Sequence, residues 1–318
     1  MACSSPLYAW NTGRLTANGK PLYFVTRYPG RPNIGEVNKR LVFELDRPLG
    51  LGEFPDGHLV EMSRVPCGTC EGCRFDKARE WADRCTVEAS KHKHNWFVTL
   101  TYDNDNLPAD NLPDKVVLIN FIKRVRRKFG KGIKFFASGE KGSRSGRAHY
   151  HIIFFGLDLS DAIKIEEHGE ESLYYSKALD VLWPFGGTVL GSVTPRSAAY
   201  VARYTDKKAG DSVGFVHMSR RPGIANEYYI DNFERILTNG SYPVGQGRVA
   251  SPPRYFDRLA EKNGVDLSAQ KASNKALAEK RIITRMATEH LRNEEEFYES
   301  VRADNKHKAA RLRRRKTL

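Results

Sequence analysis

Arg147-Ala148-His149-Tyr150-His151-Ile152-Ile153-Phe154-Phe155-Gly156 is the stretch on which the fold turns. The β-branched and aromatic run that follows the second histidine predicts a strand. Side chains alternate along a strand, so His149 and His151 share a face, with Cα atoms roughly 6–7 Å apart. Two imidazoles so placed can converge on one ion, each about 2.1 Å from it. Two half-buried histidines on an apolar strand would give the same local pattern, so the neighbouring sequence has to separate the two readings.

Upstream, Ile133-Lys134-Phe135-Phe136-Ala137-Ser138-Gly139-Glu140 reads as a second strand. Lys141-Gly142-Ser143-Arg144-Ser145-Gly146 then carries turn chemistry. The two strands make a hairpin, which brings Glu140 across from the histidines. Alone, Glu140 would be a solvated turn carboxylate. Beside the imidazoles it completes a mixed N/O donor set, suited to a divalent ion that keeps positions open for water and a phosphate oxygen.

Composition narrows the setting. The chain has 318 residues, enough for one large domain or two modest ones. A formal charge of +14 and a pI near 9.5 imply a polyanionic partner, nucleic acid rather than membrane. Mean hydropathy is -0.56, and no apolar run approaches the ~18–20 residues that span a bilayer. Met1-Ala2-Cys3-Ser4-Ser5-Pro6 lacks the pattern of a secretory signal. Five cysteines, odd in number and clustered, do not read as a secreted disulfide framework. A reducing cytoplasm is expected.

Residues 1–66 show short β-like runs (Leu22–Thr26, Leu41–Leu45) between Pro- and Gly-containing turns, an accessory β-rich lead-in. Cys67-Gly68-Thr69-Cys70-Glu71-Gly72-Cys73 then resembles half of a structural zinc site. Cys85 is the obvious fourth ligand, but Arg74–Ser90 reads as helix. Twelve helical residues span roughly 18 Å, too far for two thiolates on one ion. Either that helix starts later, or the fourth ligand is Cys3, His58 or a residue elsewhere. An iron–sulfur run begins with the same spacing, but its close fourth Cys and following Pro are missing. Three reduced thiols in a tight turn are the remaining reading.

Trp96–Tyr102 is a strand, and Asp114 is the expected N-cap of a helix over Lys115–Lys128 with Val117, Leu118, Phe121, Ile122 and Val125 on its apolar face. Lys123, Arg124, Arg126, Arg127 and Lys128 load its end with charge, which complements the helix dipole and, on a chain this basic, points to phosphates through Arg124 and Arg127. Asp161–Ser172 reads as an acidic loop, Lys177–Leu182 as a short helix and Thr188–Val193 as a strand. Thr194-Pro195 starts a helix expected through Lys208, with Gly210 ending it.

Tyr200 and Tyr204 are four apart on that helix, so their phenols share a face, with Cβ atoms about 5–6 Å apart. Lys207 and Lys208 follow within a turn. A phenol of pKa ~10 attacks poorly unless its ionised form is favoured, which nearby lysines and a metal can do. Two aromatic residues packing a helix on a sheet would look the same. Phe215–Met218 reads as a strand, and Arg220-Arg221-Pro222-Gly223 as a turn able to contact phosphate. Beyond Pro252-Pro253, Ser268 to the C-terminus suggests one or two long helices. The chain closes on a basic run containing Arg313, Arg314 and Arg315, expected to be a solvated, mobile tail adding salt-sensitive DNA affinity.

Taken in order, a Thr-rich strand, a Glu–hairpin–His-Tyr-His unit and a Tyr-x₃-Tyr-x₂-Lys helix resemble the HUH endonucleases that start rolling-circle replication. These motifs span roughly residues 97–208. With Cys67–Arg74 and Met218-Ser219-Arg220-Arg221-Pro222-Gly223-Ile224, the chain up to about Asp257 is similar to replication initiators of the gokushovirus branch of Microviridae.

The resemblance implies an α+β fold, a central antiparallel sheet with flanking helices. Its expected parts are an N-terminal accessory segment (1–66), an endonuclease domain with a Cys-rich entry helix (67–257) and a basic helical tail (258–318). It implies Mg²⁺ or Mn²⁺ on Glu140, His149 and His151, attack by Tyr200 or Tyr204 on single-stranded origin DNA, and Lys207 near the scissile phosphate with Lys208 beside it. Thr99 and Thr101 fall in the strand of the family's first motif, with a role in structure or DNA contact. A 5′-phosphotyrosine and a 3′-OH primer would form, and a second attack would rejoin the strand to release a circle. Host helicase and polymerase are the implied partners, in the cytoplasm of an infected bacterium. Two other classes predict different behaviour: a non-enzymatic basic protein that binds or packages DNA, and a metal-dependent hydrolase with a water nucleophile.

Overall fold

The structure, a computed structural model, describes residues 3–17, 19, 21–27, 31–37, 40–47, 52–53, 59–60, 62–142, 145–168, 171–202 and 214–314. Chain contacts divide it into two units, residues 1–74 with 276–318, and residues 75–275. The first unit opens with β1 (Leu7–Leu15), β2 (Pro21–Thr26), β3 (Arg31–Val37), β4 (Arg40–Arg47), β5 (Gly52–Glu53), β6 (Leu59–Val60) and β7 (Met62–Val65). Strands β2, β1 and β7 form an antiparallel sheet in that order, with Leu7 opposite Val65. Trp10 on β1 is fully buried.

α1 (Glu71–Ala89) leads into the second unit, followed by β8 (Asn95–Thr101), α2 (Lys115–Phe129), β9 (Lys134–Lys141) and β10 (Ala148–Phe155). Then come β11 (Ile163–His168), β12 (Glu171–Tyr175), α3 (Lys177–Asp180), β13 (Thr188–Ser192), α4 (Pro195–Ala202) and β14 (Phe215–Met218). The unit continues with α5 (Asn226–Asp231), α6 (Phe233–Asn239), β15 (Tyr242–Gly245), β16 (Arg248–Ala250) and α7 (Arg254–Lys262). α8 (Ser268–Thr288) and α9 (Glu294–Arg314) end the chain. The basic run through Arg314 is therefore the last part of a helix; Arg315 lies outside the described residues.

Seven strands make one antiparallel sheet in the order β11-β12-β13-β8-β10-β9-β14. The pleat sorts its side chains. On one face Val98, Leu100, Phe135, Ala137, Tyr150, Ile152 and Phe154 pack with Leu118, Phe121, Ile122 and Val125 of α2. On the other, Phe136, Ile153 and Phe155 pack with Ala82 and Cys85 of α1 and Ala198, Val201 and Ala202 of α4. Both faces are covered, which explains why Ile152–Phe155 is an unbroken apolar run. Each of those four side chains is fully buried, a contribution of about 1.5–3 kcal/mol apiece.

Local chemistry sets the element ends as expected at α2, where the Asp114 carboxylate accepts the Val116 N–H. At α4 the Thr194 hydroxyl accepts the Ser197 N–H at 3.1 Å, while Ser197 Oγ accepts the Thr194 N–H at 2.8 Å. The described part of this helix stops at Ala202, and the expected continuation through Lys208 to Gly210 lies outside the described residues. Asp161–Ser172 differs from its sequence reading: most of it belongs to the β11–β12 hairpin. Ile163 and Ile165 are 60% and 54% exposed there. Pairing through β12 to β13 makes these strands, not burial, so apolar patterning gave no signal.

Candidate active site

Register, rather than loop conformation, assembles the site. On β10, Ala148, Tyr150, Ile152 and Phe154 turn toward α2, so His149 and His151 must turn the other way, toward α4. Tyr150 is fully buried, sharing hydrogen bonds with the Tyr102 hydroxyl and the Asp114 backbone. His149 pairs with Glu140 of β9 and with Thr101 of β8; His151 pairs with Thr99. Three adjacent strands thus deliver a carboxylate, two imidazoles and a hydroxyl to one patch.

Glu140 Oε1 lies 2.9 Å from His149 Nε2 and 3.1 Å from His151 Nε2. The three side chains offer ligand atoms all within 4.8 Å of one another. Two donors side by side on an octahedral ion, each about 2.1 Å from it, stand about 3.0 Å apart. The observed separations match that geometry, and the N₂O set suits a hard or borderline divalent ion.

The outer hydrogen bonds carry the argument further. His149 Nδ1 lies 3.1 Å from the Arg147 carbonyl oxygen, which can only accept, so Nδ1 holds the ring proton. Nε2 of the neutral ring is then a lone pair aimed at a carboxylate oxygen. His151 Nδ1 is 3.1 Å from Thr99 Oγ1, a partner that holds the same tautomer. Burial pushes the His151 pKa below the ordinary imidazole range; Glu140 opposes this and His149 adds to it. Lone pairs converging on a carboxylate require a cation between them, a proton or a metal ion.

Tyr200 completes the patch from α4. Its ring meets that of His151 edge-on at 5.0 Å, and its hydroxyl is 3.5 Å from His151 Nε2. Phe97 stacks on the opposite side of His151, centroids 5.5 Å apart at 15°. A cleft of about 390 Å³ opens here, lined by Phe97, His151, Tyr200 and the polar start of α4 with Thr194, Arg196 and Ser197. Sequence reading passed over Phe97 and Arg196; only the packing of α4 on β8 and β10 identifies them. Tyr204, Lys207 and Lys208 lie outside the described residues.

Of the arginines read as DNA contacts, Arg127, Arg220 and Arg221 are exposed. Arg124 is a correction: it turns inward, its Nε donating to the Leu182 carbonyl at 2.9 Å, and burial lowers its pKa. The turn bearing Arg220 and Arg221 is held from beneath. Ala225 N–H bonds to the Glu88 carboxylate, Arg84 donates to the Ile224 carbonyl, and Gly223 lies so close to Tyr255 that a Cβ there would stand 2.6 Å from its hydroxyl. Arg313 and Arg314 fall in the last turn of α9.

The cysteines form a second cluster, in the first unit. Cys67, Cys70 and Cys73 are joined by Cys3. Burial opposes ionisation of Cys67, but N–H groups of Thr69 and Cys70 hold its pKa down to about 6. Cys85, twelve residues beyond Cys73 on α1, is fully buried in the core and takes no part. His58 lies outside the described residues.

Comparison with known proteins agrees with this picture. The family profile of the replication-associated protein ORF2 matches residues 95–209. The chain is 35% identical over 265 residues to replication-associated protein ORF2 of Spiroplasma virus 4, covering 74% of this chain and 83% of that one. It is 31% identical over 244 residues to replication-associated protein VP4 of Bdellovibrio phage phiMH2K, covering 68% and 77%. Replication-associated protein ORF4 of Chlamydia phage 1 is 37% identical over 153 residues, covering 45% and 38%. No solved structure matches the chain.

Proposed function

Because the chain belongs to the replication-associated protein ORF2 family of gokushovirus-like Microviridae, we propose that it starts rolling-circle replication by nicking and rejoining single-stranded origin DNA. The observation that supports this best is the Tyr200 hydroxyl 3.5 Å from an imidazole that shares a carboxylate oxygen with a second imidazole. Glu140, His149 and His151 would hold Mg²⁺ or Mn²⁺. Such an ion polarises a phosphate oxygen and favours phenolate over phenol.

The protein's own part is positional. Phe97 and Thr99 fix the His151 ring, and α4 carries Tyr200 to the cleft edge. In the cleavage step the tyrosine oxygen bonds to phosphorus as the bond from phosphorus to the 3′-oxygen breaks. The phenolic proton is lost to solvent, and the departing 3′-oxygen becomes the 3′-OH primer. One phosphodiester is exchanged for another, so rejoining needs no nucleotide. Tyr204 is the proposed second nucleophile, cutting the regenerated origin. Lys207, with Lys208 beside it, would offset charge near the scissile phosphate.

In this reading the second unit is the catalytic domain. Exposed Arg127, Arg220 and Arg221 contact phosphates, and the basic end of α9, with Arg313, Arg314 and Arg315, adds sequence-independent affinity. Host helicase and polymerase would extend the primer in the cytoplasm of an infected bacterium. Among the described residues no helix is long and apolar enough to cross a membrane.

The test is cleavage of a single-stranded origin oligonucleotide with Mn²⁺, comparing Tyr200→Phe, Tyr204→Phe and the double variant. Expected is a metal-dependent covalent protein–DNA species on a denaturing gel, absent from the double variant. Full cleavage by that variant would falsify tyrosine attack and favour a water nucleophile. Binding with neither metal dependence nor adduct would leave only a DNA-binding protein.

A further inference from the structure

Nothing in the proposed chemistry uses the four clustered cysteines. We propose that Cys3, Cys67, Cys70 and Cys73 hold a single structural zinc ion that ties the segment before β1 to the first turn of α1.

Distances carry this assignment. Cys67 Sγ lies 3.9 Å from Cys73 Sγ, and Cys70 Sγ lies 3.8 Å from Cys3 Sγ. All four sulfurs fall within 4.8 Å of one another. Four sulfurs each about 2.3 Å from one tetrahedral ion stand about 3.8 Å apart. A disulfide would instead bring a pair to about 2.05 Å. A four-iron cluster would spread the thiolates over four different irons, wider than the sulfurs lie here. Four soft thiolates around one point suit zinc.

The backbone is arranged for thiolates. Cys67 N–H points to Cys3 Sγ at 3.4 Å, Cys70 N–H to Cys67 Sγ at 3.3 Å and Cys73 N–H to Cys70 Sγ at 3.5 Å. Gly68, at φ +73, takes the left-handed turn that folds Cys70 back beneath Cys67. The β1–β7 ladder does the long-range work. Leu7 opposite Val65 places Cys3 and Cys67 beyond the same end of the two strands, closing a loop of 64 residues. Four protein ligands leave no open position, so the ion would be structural. Cys3 is 2% and Cys73 8% exposed.

The experiment uses the full chain purified anaerobically, with zinc counted by elemental analysis and then replaced by Co²⁺. One zinc per chain should survive desalting, and the cobalt form should show thiolate charge-transfer absorption. Cys3→Ser should lower that absorption by about a quarter, one thiolate of four. Cys85→Ser should leave it unchanged. Cys3→His, which keeps a ligand, should retain one zinc with a three-sulfur spectrum and serves if the serine variant does not fold. A chain with neither zinc nor a thiolate–cobalt band overturns the proposal, as does purification with iron in its place. An unaltered spectrum in Cys3→Ser removes Cys3 as the fourth ligand.

Discussion

Two buried carboxylates in the second unit, Glu88 and Glu140, both face histidine, yet they are satisfied in opposite ways. Glu88, fully buried on α1, meets His92 Nε2 at 2.7 Å, Lys134 Nζ at 2.9 Å and the Ala225 N–H at 2.6 Å. It carries its own cation and its own donors. Glu140 meets two imidazoles whose Nδ1 protons are engaged by the Arg147 carbonyl and Thr99. It converges with lone pairs and lies beside an open cleft. A carboxylate supplied with a lysine is a scaffold joint, here the one beneath the Arg220–Arg221 turn. A carboxylate left facing imidazole lone pairs is a place for an added cation.

The largest expected contrast comes from Glu140→Gln. The amide keeps the shape and can donate to an imidazole nitrogen, but removes the charge that a divalent ion needs. Loss of several kcal/mol of metal-assisted stabilisation means a fall in Mn²⁺-dependent cleavage on the order of 10²–10⁴-fold. Melting temperature in a chelator should stay level or rise. A variant that cleaves normally, or that melts early in chelator, would erase the distinction between the two carboxylates. Lys134→Met is the mirror experiment. It leaves Glu88 buried without its cation, at a cost of about 3–5 kcal/mol in unfolding free energy measured by denaturant titration. Cleavage per folded molecule should stay close to that of the parent chain.

These two carboxylates were not equally legible. Glu140 could be read because its partners lie nine and eleven residues away on one hairpin, and strand alternation alone decides which side chains meet. Glu88 sits in a stretch of helix formers and reads as an ordinary surface acid. Its burial depends on Lys134 and Ala225 arriving from distant elements, and no local period encodes that. Cys3 shows the intermediate case. It could be offered as one choice for a fourth ligand, but only the β1–β7 register selects it. Arg124 shows the converse, since the charge pattern pointed outward and the Leu182 carbonyl drew the guanidinium in.

A smaller change sharpens what holds the imidazoles. Thr99→Val removes the oxygen that faces His151 Nδ1 while nearly preserving volume. Second partners of metal-binding histidines are worth roughly 10–100-fold in affinity or activity. Mn²⁺ affinity, followed by titration calorimetry, should weaken by that factor. An unchanged affinity would mean that stacking on Phe97 alone orients the ring.

The smallest effect is in pH, and its sign separates the two sites again. Burial would raise the Glu88 pKa, but His92, Lys134 and the Ala225 N–H together hold it below the ordinary glutamate value. A carboxylate with a depressed folded-state pKa prefers the folded chain when ionised. Its contribution is complete above the unfolded-state value of about 4.3 and drains away as pH falls through the lower folded-state value. For His151 the depressed pKa means that the folded chain prefers the neutral ring. That contribution is complete above about 6.5 and is lost as pH falls from there through the lowered value. Stability measured from pH 7 downward should therefore lose an early portion in His151→Gln and a later, more acidic portion in Glu88→Gln. Acid limbs that shift in the reverse order would mean that the scaffold carboxylate, and not the cleft imidazole, is the first group to protonate.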